Sequence, residues 1–193
     1  MNPKVKHIKT QLLSSDWYTL NKVTFDYQLH NGSWVNQSRE CYDRGNGACI
    51  LLYNTTKKTV ILVKQFRMPT YVNGNAYGLM IEACAGVLDG DDPITCIIKE
   101  TEEETGYQIK NAHKIFESYM SPGAVTEIIH FFIAEYDDLM KINSGGGLDA
   151  EHEDIEVLEI GFKQAIQMIK TGEIKDAKTI MLLQYALINK LMP

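Results

Sequence analysis

Three glutamates stand close together in the segment K-E-T-E-E-E-T-G at residues 99–106. If this segment is helical, Glu100, Glu103 and Glu104 fall at positions i, i+3 and i+4 and share one face. Like charges at this spacing repel each other by a few tenths of a kcal/mol per pair, so a bound cation would relieve the cluster. Hard divalent cations such as Mg²⁺ prefer carboxylate oxygens and keep water ligands for substrate phosphates. The alternative for the glutamates alone is a solvated acidic face.

The residues around the glutamates predict the helix that would carry them. Asp91 or Asp92 can cap its start, Pro93 suits its first turn, and Gly106 suits its end. A second face of the same helix is apolar and should dock on a sheet. That face consists of Ile94, Ile97, Ile98 and Thr101.

Hydrophobic periodicity predicts the remaining elements, which alternate between strands and helices. A hairpin of residues 23–29 and 34–42 turns at Asn31-Gly32, and a second joins 48–53 to 59–66. Further strands are predicted at 79–84, 113–120, 128–136 and 155–160, and helices at 162–171 and 177–191. The loop 137–154 contains three glycines at 145–147, which could act as a hinge. The pattern indicates an α/β domain behind a small amino-terminal β annex.

Composition excludes several classes of protein. The 193 residues are 45% hydrophobic and 23% charged, which is typical of one globular domain with room for a small annex. The net charge of −6 disfavours non-specific binding to nucleic acid, and no apolar run is long enough to span a bilayer. The four cysteines form no C-x-x-C pair, which favours reduced thiols in a cytoplasmic protein.

The segment from Gly86 to Tyr107 resembles the Nudix box, G-x5-E-x7-R-E-U-x-E-E-x-G-U, in which U is apolar. The match is close from Glu100 onward, whereas the first half is one residue short and has Asp91 or Asp92 in place of its glutamate. Lys99 replaces the arginine, and lysine cannot grip a carboxylate at two points, so it should support Glu103 less firmly. The resemblance implies a Nudix hydrolase fold: a mixed β-sheet sandwiched between helices.

Further segments resemble one branch of this family. Pro122 follows Gly106 by sixteen residues, as in ADP-ribose and sugar-nucleotide pyrophosphatases. The segments 42–48, 119–123, 126–136 and 171–179 are similar to bacterial GDP-mannose pyrophosphatases. This resemblance implies cleavage of GDP-mannose to GMP and mannose 1-phosphate. It also implies a homodimer in which an amino-terminal annex, residues 1–43, completes the active site in the partner's Nudix domain, residues 44–193.

The resemblance also implies a metal site and a catalytic base. The carbonyl of Ala85 with Glu100, Glu104 and Glu153 should hold two or three Mg²⁺ ions, and Mn²⁺ could substitute. Glu151 is an alternative to Glu153, because this chain looks two residues longer just before the run at 154–157. Glu153 or Glu127 should act as the base, and Glu103 is included among the catalytic residues.

The substrate contacts implied by the resemblance fall into two groups. Trp17, Ser38, Arg39 and Glu40 should cradle the guanosine, the last three from the partner chain. The contacts to the rest of the nucleotide sugar are expected from Arg67, Ala85, Gly86, Val87, Glu104, Glu127, His152, Glu153 and Lys178. Arg67 and Lys178 suit phosphate oxygens, Arg67 by a two-point grip.

Two other functions stay open at this point. An ADP-ribose pyrophosphatase would share the box, Arg67 and the Pro122 spacing, and would differ in the base pocket. A non-catalytic nucleotide-sugar-binding Nudix module would keep the fold, but such modules usually lack the paired glutamates. A nucleic-acid or membrane partner is not expected.

Overall fold

The computed structural model describes residues 3–148, 150 and 152–192. Its strands are β1 (Val5–Ser15), β2 (Thr19–Gln28), β3 (Trp34–Asp43), β4 (Gly47–Asn54), β5 (Thr59–Phe66), β6 (Leu79–Glu82), β7 (Cys84–Val87), β8 (His113–Tyr119), β9 (Ile128–Glu135) and β10 (Glu156–Gly161). Its α-helices are α1 (Met68–Val72), α2 (Pro93–Glu100), α3 (Phe162–Thr171) and α4 (Ala177–Ile188). A π-helical turn, Thr101–Thr105, and a 3₁₀ turn, Asp138–Met140, complete the described elements.

The chain divides into two compact units. One contains the described residues up to Asn46 together with Tyr119–Ile128, and the other contains Gly47–Ser118 and the described residues from Ile129 onward.

The first unit contains a three-stranded antiparallel sheet in the order β1-β2-β3. The predicted hairpin is confirmed: β2 and β3 pair from Thr19↔Asp43 to Gln28↔Trp34, and Gly32 adopts a φ of +86° in the connection. The sequence analysis missed β1. Ten of its eleven residues are exposed, so it has no apolar alternation to reveal it.

The second unit is built on a mixed sheet in the order β10-β5-β4-β9-β8, with β6 added to β5 and β7 to β4. β4 runs parallel to β9 and antiparallel to β5 and β7. The α/β class and the mixed sheet are therefore confirmed.

Helices cover both faces of this sheet at β4, which is almost fully buried. Alternate residues of the strand, Ala48, Ile50 and Leu52, join Cys96 and Ile97 of α2 in one apolar cluster. The intervening residues point to the opposite face, and α4 also contacts β4. The expectation for Ile94 is wrong, because it is 41% exposed in the first turn of α2 while Cys96 takes a buried position.

The predicted strand 79–84 is two strands in the structure. β6 pairs with β5 as far as Glu82, and β7 starts at Cys84 and pairs with β4 as far as Val87. The chain changes partner at Ala83, whose N–H donates to the hydroxyl of Thr179 at 2.6 Å instead of joining a strand. This break places β7 beside the acidic helix, which consists of α2 and the π-helical turn that follows it.

The acidic helix begins and ends as predicted. The Asp92 carboxylate accepts hydrogen bonds from the N–H groups of Ile94 and Thr95, and Gly106 ends the helix with a φ of +76°. A Cβ at position 106 would lie 2.2 Å from the carbonyl oxygen of Asn143, so both the backbone angle and the packing require glycine. The final turn is π-helical, a form that often occurs at functional sites.

The last two helices match their predictions, except that α4 ends at Ile188 rather than at 191. The short helix α1 was not predicted. No helix among the described residues is long and apolar enough to cross a membrane.

Candidate active site

Glu100 and Glu104 both contact strand β7. The N–H of Ala85 donates to Oε2 of Glu104 at 3.2 Å. At the next residue, a Cβ on Gly86 would lie 2.1 Å from Oε1 of Glu100, so this carboxylate packs directly on the glycine backbone. Two adjacent strand residues therefore hold two carboxylates of the predicted metal site.

Glu104 is the most perturbed of the acids in the site. Its residue is 3% exposed, and its burial, followed by the nearby charge of Glu100, raises its pKa to about 8. Hydrogen bonds from Cys84 and Ala85 and the charge of Arg67 act in the opposite direction. A buried acid next to a second, partly buried acid whose charge repels it suits a divalent cation, which would offset both charges.

The donors that surround this point fit a hard cation by chemistry. Carboxylate oxygens of Glu100 and Glu104 are available in one place, and magnesium sites typically use one or two carboxylates plus water and substrate phosphates. Among the described residues, no three His, Cys, Asp or Glu side chains form a group that could hold a metal ion by themselves.

Glu103 lies on the same turn but is engaged with Lys99. Their Nζ and Oε1 atoms are 3.7 Å apart, in an i, i+4 pair on a partly exposed surface. This single-point contact is the one expected when lysine replaces arginine.

Glu153 binds its own loop. Its Oε2 accepts a hydrogen bond from the N–H of Leu148 at 2.9 Å. Neighbouring His152 is exposed and has a φ of +56°. Glu151, the alternative ligand, lies outside the described residues.

The glycines of this loop are tied to the acidic helix. The N–H of Gly146 donates to the carbonyl of Glu104 at 2.9 Å, and the N–H of Gly147 donates to the carbonyl of Glu103 at 3.0 Å. These bonds satisfy carbonyls that a helix end otherwise leaves without partners. Two glycines of the segment that could act as a hinge therefore cap the end of the helix.

Arg67 forms a two-point contact with a buried acid that the sequence analysis did not single out. Its Nε and Nη2 donate to the same oxygen of Glu82, Oε2, at 2.9 and 2.7 Å. Burial disfavours the charge of Arg67. The contact with Glu82 and the nearby charges of Glu104 and Asp176 outweigh this effect, so the pKa of the arginine is raised. Arg67 therefore stays charged at the edge of the carboxylate site.

Lys178 is largely buried and paired with Asp176. Its Nζ lies 2.7 Å from Oδ1 of Asp176. Burial disfavours its charge, but Asp176, followed by Glu82, raises the lysine's pKa above its ordinary value. The structure thus gives the second unit two permanent cations, Arg67 and Lys178, each fixed by an acid.

The residues predicted to bind the base lie in the first unit. Trp17 is 83% exposed and meets the ring of Tyr18 edge-on at 6.4 Å between centroids. Ser38, Arg39 and Glu40 are consecutive exposed residues of β3, so Arg39 points to the opposite face from the other two. The Arg39 guanidinium donates to the carbonyl of Ser38 at 2.8 Å.

Glu127 is held in this unit by Arg44, a residue that the sequence analysis missed. Arg44 Nε lies 3.4 Å from Oε1 of Glu127, and its guanidinium carbon lies 5.6 Å from the centre of the Tyr18 ring. The sequence contained a reason to single out Arg44, because this residue belongs to the segment 42–48 that matches the subfamily. A cavity of about 500 Å³ in the same unit is lined by Arg39, Tyr119 and residues 122–126.

Comparison with known proteins gives full-length matches. A family model described as the GDP-mannose pyrophosphatase NudK N-terminal domain matches residues 4–42, and the NUDIX domain model matches residues 43–183. The GDP-mannose pyrophosphatase of Escherichia coli strain K12 is 56% identical over 192 residues, covering 100% of both chains. The protein of the same name from Escherichia coli O1:K1 is 55% identical over the same length.

Proposed function

The chain belongs to the NUDIX family, and on that premise we propose that it hydrolyses the diphosphate of GDP-mannose to GMP and mannose 1-phosphate with the help of Mg²⁺. The observation that carries the chemistry is the contact of Glu100 and Glu104 with two adjacent residues of β7. The substrate is inferred from relatives named GDP-mannose pyrophosphatase, which match the whole chain, including the amino-terminal residues.

The chain's own residues divide the work of phosphate chemistry. Glu100, Glu104 and the carbonyl of Ala85 would hold Mg²⁺, which when bound neutralises phosphate oxygens and lowers the pKa of a water ligand. Arg67 and Lys178 supply fixed positive charge for the diphosphate, and phosphoryl transfer depends mainly on such positioning.

The reaction needs no covalent intermediate on the protein. Water adds to one phosphorus, the bridging P–O bond breaks, and the other phosphate leaves. Cys84 is unsuited as a nucleophile, because complete burial and the charge of Glu104 raise the pKa of its thiol well above the ordinary value.

Glu153 is proposed as the base that deprotonates or orients the water, with Glu127 as the alternative. Glu127 is already paired with Arg44, whereas Glu153 is held by one neutral N–H. The variants Glu153→Gln and Glu127→Gln separate the two, because loss of the base should lower kcat by about 100-fold or more. It should also remove the acidic limb of the pH profile, which loss of a substrate contact would leave in place.

A homodimer is proposed, with residues 1–43 of each chain completing the site in residues 44–193 of the other. Strand β1 is the edge of the three-stranded sheet and exposes Ile8 and Leu12. An edge strand offers unpaired backbone groups to another chain, and exposed apolar side chains beside them favour contact with a partner. Light scattering tests the proposal, and a monomeric mass would remove the shared-site argument for Trp17 and residues 38–40.

The protein is further proposed to work in the cytoplasm, because its four cysteines are free and three of them are buried. Measurement of enzyme activity in separated cell fractions tests this location.

Hydrolysis of a panel of nucleotide sugars tests the function itself. GDP-mannose, ADP-ribose, UDP-glucose and GDP-glucose are incubated with Mg²⁺ and the protein, and excess phosphatase converts the phosphomonoester products to free phosphate. Preference for GDP-mannose, lost in Glu104→Gln, is the expected result. Preference for ADP-ribose would keep the mechanism and change the base pocket, and inactivity on all four would contradict catalysis.

A further inference from the structure

Lys178 occupies an unfavourable place for a cation. It is the second residue of α4, where the partial positive charge of the helix N-terminus repels a positive side chain. It is also largely buried, which adds a desolvation cost for its charge. Some other group must therefore hold the ammonium in place.

Asp176 is that group, and it is bound on several sides. It caps α4 by accepting the N–H of Thr179 at 2.9 Å and the hydroxyl of Thr179 at 2.7 Å. Its other oxygen, Oδ1, accepts from Nζ of Lys178 at 2.7 Å. The start of α4 thus fixes the carboxylate of Asp176, and the carboxylate in turn fixes the ammonium of Lys178.

The same threonine joins this pair to the strand that carries the metal site. Thr179 Oγ1 donates to Asp176 and accepts the N–H of Ala83 at 2.6 Å. Ala83 is the residue at which the chain passes from β6 to β7, two positions before Ala85. A continuous chain of hydrogen bonds therefore runs from the N–H of Ala83, next to β7, through Thr179 and Asp176 to the ammonium of Lys178.

We propose that Asp176 is a positioning residue, which holds the Lys178 ammonium oriented and fixed to the β6–β7 junction for contact with a substrate phosphate. This rests on the proposed function of Lys178 as a phosphate contact. An ammonium group has three N–H donors, and Asp176 takes one, so a phosphate can be bound without displacing the acid. Asp176 itself touches no substrate.

The test removes the negative charge of Asp176 but keeps a side chain that can cap α4. Asn and Ser both cap helices well, so Asp176→Asn and Asp176→Ser should fold. Each should raise the KM for GDP-mannose about tenfold, the usual effect of weakening one charged hydrogen bond, with a smaller change in kcat. Unchanged KM in both variants would overturn the proposal.

Asp137→Asn is the matched control. Asp137 also caps a helical turn, because its Oδ1 accepts from the N–H groups of Leu139 and Met140, but it is exposed and lies outside both the acidic helix and the expected binding residues. Its replacement removes a charged cap alone, so KM should stay at the wild-type value. A tenfold rise in this variant too would show a general effect of weakened caps and overturn the proposal.

A double-mutant cycle tests whether Asp176 acts through Lys178. Lys178→Gln should raise KM by itself, and adding Asp176→Asn to it should change KM no further. Effects that multiply in the double variant would overturn the proposal, because they would mean that Asp176 acts without the lysine.

A readout without substrate separates this proposal from the proposed function. The ε-carbon NMR signal of Lys178, assigned by its loss in Lys178→Gln, should titrate at lower pH in Asp176→Asn than in the wild type. An unchanged titration would overturn the positioning role. Inactivity of the wild type on every nucleotide sugar would instead refute the function and leave this measurement to decide the role of Asp176.

Discussion

The backbone N–H of Ala85 donates a hydrogen bond to Oε2 of Glu104 across 3.2 Å. The strand therefore sets the orientation of a buried carboxylate. Ala85 is also the residue whose carbonyl is expected to bind the metal ion. The backbone N–H and the carbonyl of this one residue would therefore both serve the same site. Small displacements of β7 should therefore affect metal binding strongly.

Gly86→Ala should reduce Mg²⁺ affinity and kcat together. The new Cβ would lie 2.1 Å from Oε1 of Glu100, which is far inside contact distance, so the carboxylate must move. Titration of activity with Mg²⁺ should give a half-saturation concentration raised by about tenfold or more, as expected when a metal ligand is displaced.

Gly161→Ala is the control for this change, because a Cβ there meets nothing within 4 Å. It should keep the wild-type Mg²⁺ dependence. A normal Mg²⁺ dependence in Gly86→Ala would contradict the assignment of Glu100 as a ligand.

Glu104→Gln should abolish activity and yet stabilise the metal-free protein at pH 8. The pKa of Glu104 is raised from 4.5 to about 8 in the folded state, so the folded protein keeps a proton that the unfolded chain releases. The free energy of unfolding of the wild type therefore falls as the pH rises from 4.5 to about 8, and Gln removes this loss. Thermal melts in EDTA should show a difference on the order of 3 kcal/mol at the upper pH.

Glu102→Gln provides the comparison, since Glu102 lies on the same turn and accepts from Gln108 at 3.3 Å. Its melts should follow the pH dependence of the wild type. If Glu104→Gln also melts like the wild type at both pH 4.5 and pH 8, the raised pKa of Glu104 is wrong.

Glu82→Gln should destabilise the protein by about 2 kcal/mol, less than for a fully buried pair, because Arg67 is partly solvated. Glu82 is 5% exposed and accepts hydrogen bonds from Nε and Nη2 of Arg67. Its replacement by glutamine leaves the positive charge of Arg67 with a neutral, weaker acceptor. Urea unfolding measures the change.

Lys114→Ala breaks an exposed pair with Glu117 and should leave the unfolding midpoint unchanged. Equal midpoints for Glu82→Gln and Lys114→Ala would show that burial does not distinguish the two pairs.

Trp17→Ala should raise the KM for GDP-mannose about tenfold, the cost of losing one base-stacking ring, and should not change stability. Trp17→Tyr should keep most of the affinity, because an aromatic ring remains. Tyr77→Ala, which removes another ring that is 82% exposed, should leave KM unaltered. A KM unchanged by Trp17→Ala would remove this residue from the base pocket.

Local sequence rules predicted the acidic helix well. Asp92, Pro93 and Gly106 act within one or two turns of themselves, so their roles are readable without the fold. The hairpin at Asn31-Gly32 and the helix at 162–171 were predictable for the same reason.

The features that escaped prediction depend on distant partners or on solvent. β1 is held by pairing with β2 while its side chains face water, so it lacks the apolar alternation that identifies strands. The break at Ala83 exists because Thr179, distant in sequence, takes its N–H. Glu82 and Arg44 are ordinary residues until the fold brings Arg67 and Glu127 to them, whereas Asp176 and Lys178 are only two residues apart in the chain.

The two hydrogen bonds from Gly146 and Gly147 to the end of the acidic helix determine how this loop can change during evolution. The root of the loop is anchored at these glycines, and the chain is fixed again where β10 begins at Glu156. Changes of length between these two anchors leave the glycines bonded to the acidic helix, but they displace Glu153, the proposed base, which lies between the anchors. The segment can therefore vary in evolution only in ways that keep Glu153 in place relative to the acidic helix.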